Sequence, residues 1–162
     1  MRPRHPETTA RQGEDLPRRF ARLIAGQDRL CGELEALADA LPHAVDTLAA
    51  AALAHRLHPT IRLCQEVEER RVFPLLCDAD PGGAHGAMIG RLRAEHLEDE
   101  DHALEVAETI LGFVARPRRG PEADRLGFLL RALFQPLRRH AAYDRDVVLP
   151  LCRAALRTPP RP

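Results

Sequence analysis

Residues 126–151, LGFLLRALFQPLRRHAAYDRDVVLPL, decide the fold. Leu126, Leu130, Leu133, Leu137, His140, Asp144, Val147 and Leu151 recur at three- and four-residue steps, which is one face of an α-helix. A leucine stripe of that length is buried against other helices rather than left in water. His140 and Asp144, one turn apart, interrupt the stripe, so an imidazole and a carboxylate go into the interior with it.

Working outward, three more stretches show the same period. The second helix is expected from a cap at Asp46 to about Cys77, with Leu53, Leu57, Ile61, Cys64, Glu68, Val72 and Leu75 inward. The third spans about Ala87 to Ala115, with Leu92, His96, Glu100, Ala103, Ala107, Ile110 and Val114 inward. The first starts near Asp15, with Pro17 in its first turn, and ends near Leu41. Its stripe is Phe20, Leu23, Gln27, Leu30 or Cys31, Leu34, Ala38 and Leu41. The fourth runs from about Ala123 to Leu156. DADPGGAHG (78–86) and ARPRRGPE (115–122) read as loops, and residues 1–14 and 157–162 as flexible tails. Strand signals are nearly missing, and Leu, Ala, Arg and Glu dominate. The expectation is an all-α protein, an up-down-up-down antiparallel four-helix bundle over residues 15–156.

Composition narrows the function. The chain has 162 residues, enough for a core of its own. All 24 basic residues are Arg and Ser and Asn are absent, a bias of the kind a GC-rich genome leaves. A formal net charge of +0 argues against binding nucleic acid by phosphate neutralisation. No apolar run reaches the ~18 residues of a membrane span, and the N-terminus lacks the apolar core of a signal peptide. A cytoplasmic chain is expected, in which the four Cys are thiols or metal ligands rather than a disulfide frame. No organic cofactor is evident, and oligomeric state is left open.

Helices 2 and 4 repeat each other at an offset of 76 residues. Cys64-x-x-x-Glu68 matches His140-x-x-x-Asp144, and Val72-Phe73-Pro74 matches Val148-Leu149-Pro150. Pro59 and Pro136 stand at nearly equivalent places and suggest a kink in each helix. Each helix therefore points a pair of polar groups at the bundle axis. Buried carboxylates without partners cost several kcal/mol each, on the order of what charge burial demands. There is no Lys, and no Arg falls on the stripes. A metal cation among Glu68, Glu100 and Asp144 is the economical answer.

Chain direction sorts the pairs into two layers: Cys31, Cys64, Glu100 and His140 in one, Gln27, Glu68, His96 and Asp144 in the other. Helix 1 fits this sorting least well, because Cys31 falls about two turns nearer the first loop than Cys64 does. Which of Cys31, Gln27 and Asp28 it contributes is left open. Cys77 and Cys152 read as small hydrophobes at helix ends. Glu69, Glu98, Asp99, Asp101 and Asp146 read as solvated charges. A polar network without metal would need several buried polar groups to coincide at one level.

On these residues the sequence resembles the hemerythrin-like family, the HHE cation-binding domain, over about residues 16–155. Cys64-Gln-Glu-Val-Glu68, followed by Phe73-Pro74, is similar to the family's His-x-x-x-Glu block, with Cys in place of His. Glu95-His96 resembles the helix 3 signature, and His140-Ala-Ala-Tyr-Asp144 the last block. The resemblance implies a four-helix bundle holding two irons that O2, NO or peroxide can reach. Carried over, Glu68 and Asp144 bridge the metals, and His96, Glu100 and His140 hold one of them. The helix 1 His of the family is missing here, where Gln27 or Asp28 stands.

Thiolate is a soft ligand that favours Zn or Cu(I) and invites oxidation beside an O2-activating iron. The expectation is one or two transition-metal ions, Zn or Fe, held by Cys31, Cys64, Glu68, His96, Glu100, His140 and Asp144. The protein then senses or handles a small diatomic or oxidant, with Cys31 and Cys64 able to pair in a redox sensor. Two alternatives stand beside this: a Zn- or diiron-dependent enzyme activating water or O2, and a Zn-stapled structural or partner-binding bundle.

Overall fold

The computed structural model describes residues 6–116 and 120–157, with side chains from residue 16 onward. Among the described residues the structure is helical and has no strand. The helices are α1 (Pro6–Ala40), α2 (Thr47–Val67), α3 (Phe73–Ala79), α4 (Gly86–Ala115), α5 (Pro121–Tyr143) and α6 (Leu149–Arg157). A single π-helical turn, Glu68–Val72, joins α2 to α3, and a second, Asp144–Val148, joins α5 to α6. The chain thus forms four long rods, at 6–40, 47–79, 86–115 and 121–157. No helix among the described residues is long and apolar enough to cross a membrane.

Local chemistry sets the rod ends. Asp46 caps α2, its carboxylate accepting from the backbone N–H groups of Leu48 and Ala49 at 3.0 Å each. Gly120, at φ 84°, takes the left-handed conformation before Pro121 opens α5. The first rod packs on the second and fourth, and the third on the second and fourth. Neighbours in sequence are therefore antiparallel neighbours in space, the up-down-up-down bundle expected from the stripes.

The repeat at offset 76 reappears as geometry. The π turns begin at Glu68 and Asp144, the second members of the two repeated pairs. In each, a backbone N–H reaches back five residues: Phe73 to the carbonyl of Glu68, and Leu149 to that of Asp144. Pro74 and Pro150 follow directly, and a proline ring collides with the carbonyl four residues before it in a regular helix. Widening the turn relieves that collision. The helices continue through Pro59 and Pro136, so the local break begins at the second member of each repeated pair rather than before the first.

A π turn inserts one residue into a helix and so moves the buried face on by one position. Leu76 is buried where Leu75 was expected, and Val148 and Cys152 where Val147 and Leu151 were expected.

The interior has two apolar ends. One contains Leu34, Leu57, Ile61, Ile110, Leu130 and Leu137. The other contains Phe20, Ile24, Val72, Phe73, Leu92 and Val148. Each rod carries buried polar residues at or beside the crossing from one end to the other: Gln27 in α1, Gln65 and Glu68 in the second rod, His96 and Asp99 in α4, and His140 and Asp144 in the fourth rod. A polar layer is thus enclosed between two hydrophobic ones.

Candidate metal centre

The layer brings five of the expected residues together. Glu68, His96 and His140 place one ligand atom each within 4.8 Å of one another, and so do Cys64, Glu68 and Asp144. Glu68 belongs to both groups. His96 Nε2 lies 3.4 Å from Glu68 Oε2, and His140 Nε2 lies 3.9 Å from that oxygen and 3.4 Å from Asp144 Oδ2. The two imidazole rings are 5.1 Å apart between centroids.

Each histidine is aimed from behind. His96 Nδ1 donates to Glu69 Oε1 at 3.0 Å, and His140 Nδ1 donates to Glu95 Oε2 at 2.9 Å. A carboxylate only accepts, so each ring keeps its proton on Nδ1 and turns Nε2 inward. Carboxylate–histidine pairs of this kind orient and strengthen metal-binding imidazoles. Exposed arginines of α4 hold the carboxylates in turn: Arg93 on Glu69 at 2.8 Å and Arg91 on Glu95 at 3.5 Å. Phe73, set by the first π turn, stacks on His96 with centroids 5.9 Å apart.

The inward atoms have no hydrogen-bond partners. Both oxygens of Glu68, both of Asp144, and the Nε2 atoms of His96 and His140 are buried without a well-formed hydrogen bond, their mutual contacts being 3.4–3.9 Å, and both amide atoms of Gln27 are likewise unbonded. Leaving one such group unsatisfied costs about 1–3 kcal/mol, more when it is charged. Cations at the two groups of ligand atoms would satisfy these carboxylate and imidazole atoms. The donors, carboxylate, imidazole and thiol, are those of transition-metal sites. The residues present therefore fit a metal.

Without a cation, protons neutralise the layer. Burial lowers the pKa of His140, but contact with Glu68, Asp144 and Glu95 outweighs it and raises the ring to about 10. Burial and the charge of Glu68 push Asp144 up to about 8. Burial acts the same way on Glu68, yet its two histidine neighbours hold it below the usual carboxylate range. Burial, with Glu68 and Asp144 nearby, keeps the Cys64 thiol protonated, well above its ordinary value.

A family model described as Hemerythrin HHE cation binding domain matches residues 25–152. The chain belongs to this hemerythrin family. Comparison with curated proteins gives no match, and neither does comparison with solved structures. A hemerythrin-type domain implies a metal cofactor, and the polar layer supplies its candidate ligands.

Two expected ligands are not in the cluster. Glu100 points outward and pairs with Arg62 at 3.0 Å. The buried positions of α4 run Leu92, His96, Asp99, Ala103, Val106, Ile110 and Phe113, in alternating steps of four and three. Two steps of four from Leu92 lead to Glu100, one residue out of phase with the buried face. Asp99, read as a solvated charge, is the buried residue instead. Cys31 is buried in the apolar end around Leu34 and Ile61, whereas Cys64 sits in the end around Phe73 and Val72. The two thiols fall in different apolar clusters and only Cys64 reaches the ligand atoms, so the layer of Cys31, Cys64, Glu100 and His140 is replaced by the two groups above. Burial raises the Cys31 thiol to about 12, which suits a small hydrophobe. From helix 1, Gln27 faces the layer, while Asp28 pairs with Arg145 at 2.8 Å. Glu69, also read as solvated, is the partner of His96. Cys77 is exposed and Cys152 buried.

Two predictions follow from the supporting residues. Glu69→Ala and Glu95→Ala each release an imidazole from its orienting carboxylate. Each is expected to weaken metal affinity by roughly 10- to 100-fold with the helical circular dichroism retained. Undiminished affinity in competition titrations would dissociate these pairs from metal binding. The second concerns Asp99, whose carboxyl burial raises from 3.8 to about 6. A raised acid binds its proton more tightly when folded, so its contribution is full below 3.8 and is lost as pH rises through about 6. Asp99→Asn is expected to flatten that part of the stability–pH curve and add roughly 1–3 kcal/mol above it. Denaturant titrations at acidic and neutral pH measure both effects, and a parallel shift at all pH values would contradict the assignment.

Proposed function

We propose that this hemerythrin-family protein holds one or two transition-metal ions in its polar layer and senses or handles a small oxidant such as O2, NO or peroxide. The observation that carries the reading is the set of buried inward atoms on Glu68, His96, His140 and Asp144 that lack hydrogen bonds, backed by the Glu69 and Glu95 carboxylates. When bound, an iron centre supplies reversible binding or reduction of such ligands. The chain's own part is to fix two imidazoles, to bring carboxylates close enough to serve two ions, and to exclude bulk water.

Access also supports a small ligand. A surface cavity of about 470 Å³ between α4 and α5 is lined by Arg91, Glu95, Asp99, Arg139, His140 and Tyr143. His140, one of the residues of the centre, is part of its lining. The same cavity favours the second reading, an enzyme activating water or O2, over a sealed structural staple, because four-coordinate structural sites are closed.

Elemental analysis and optical absorption of the purified chain, before and after O2, NO and peroxide, test the reading. Bound iron with a ligand-to-metal band that changes on exposure supports it. Turnover of an added substrate at the same centre would favour the enzyme. Full stability in chelator with no bound metal would overturn both.

A further inference from the structure

We propose that the centre is asymmetric, built for two unlike ions: Fe(II) at Glu68, His96 and His140, and Zn(II) at Cys64, Glu68 and Asp144. The inference rests on the metal-binding reading above and gives each group its own occupant. The two groups share only Glu68. The first is a two-histidine, one-carboxylate set, the donor set of non-haem Fe(II) sites with open positions. The second is one sulfur and two carboxylates, and its soft thiolate selects zinc over a hard ion.

Access divides the groups along the same line. The 470 Å³ cavity is lined by His140, and a second cavity of about 240 Å³, between α2 and α4, is lined by His96. Neither is lined by Cys64 or Asp144. Cys64 is wholly buried, packed with the apolar residues around Phe73. Small molecules from these cavities therefore meet the histidine group, and the thiolate lies behind it. That arrangement also protects the sulfur. A thiolate on redox-active iron in contact with oxidants is exposed to sulfenate formation, whereas zinc has no accessible redox change. Occupancy of the second group needs no oxidant or reductant. The Cys64 S–H bond breaks, the proton leaves to solvent, and the sulfur lone pair forms the Zn–S bond.

The full chain, loaded anaerobically with Fe(II) and Zn(II) together, is examined by X-ray absorption at both metal edges. The expected result is one zinc and one iron per chain, a sulfur shell at about 2.3 Å around zinc, and no sulfur around iron. Cys64→Ser is expected to lower zinc affinity by at least about tenfold and to leave iron bound. Sulfur at the iron edge, identical shells at both edges, or a single ion without sulfur would overturn the asymmetry and leave the metal-binding reading standing. Absence of any bound metal would remove both. The wild-type spectra decide the question even if the Ser variant does not fold.

Discussion

Saturation with its metal is expected to raise the melting temperature of this protein by roughly 8–16 °C. A metal held in the polar layer, as proposed, binds a site that exists only when the four rods are assembled, so its binding energy appears as folding stability. At about 1,000 times the dissociation constant, that linkage contributes about 4 kcal/mol, and about 2–4 °C follows per kcal/mol in a chain of this size. The gain should grow with pH. His140 and Asp144 hold protons up to about 10 and about 8 in the metal-free chain, and the ion must displace them. Melting curves with and without chelator, taken at several pH values, provide the check. Equal midpoints would show that protons alone satisfy the layer.

Glu68→Ala should have the largest effect of any single change, because both groups of ligand atoms contain Glu68. Loss of an orienting carboxylate already costs about 10- to 100-fold in affinity, so loss of the shared ligand is expected to exceed 100-fold, on the order of the upper end of that range or beyond. The metal-induced rise in melting temperature should disappear with it. Glu100→Ala is the informative companion. Its carboxylate is paired with Arg62 at the surface, where an ion pair contributes about 0–1 kcal/mol, and metal affinity should not move. Isothermal titrations on the two variants separate them. Equal losses would return Glu100 to the site.

The contrast between these two glutamates shows where sequence reading succeeded and where it stopped. Both lie on a helix whose apolar period is plain. In the second rod Cys64 and Glu68 are bracketed by Ile61 and Val72, so their inward placement follows from the stripe. In α4, steps of three and four are equally compatible with a helix, and the choice between Asp99 and Glu100 rests on packing against the second and fourth rods. The one-residue advance after Glu68 and Asp144 was hidden for a related reason. A π turn keeps the composition of a helix and changes only which carbonyl each N–H reaches. Its trace in the sequence was the pair of prolines at Pro74 and Pro150, four residues after arginine and aspartate carbonyls that a regular helix would force against their rings.

Periodicity and punctuation in this chain were enough to establish four rods, their antiparallel order and the inward aim of Cys64, Glu68, His96, His140 and Asp144. Those features are local, since a helix's faces follow from its own residues. Three-dimensional packing assigned the rest. It put Gln27 rather than Cys31 at the polar level, sent Glu100 to Arg62, enlisted Glu69 and Glu95 behind the histidines, and made Glu68 common to both groups. These outcomes depend on the rotation and axial offset of one rod against another. Such offsets are set by how side chains from different rods fill a common interior, and no single rod's sequence carries that information.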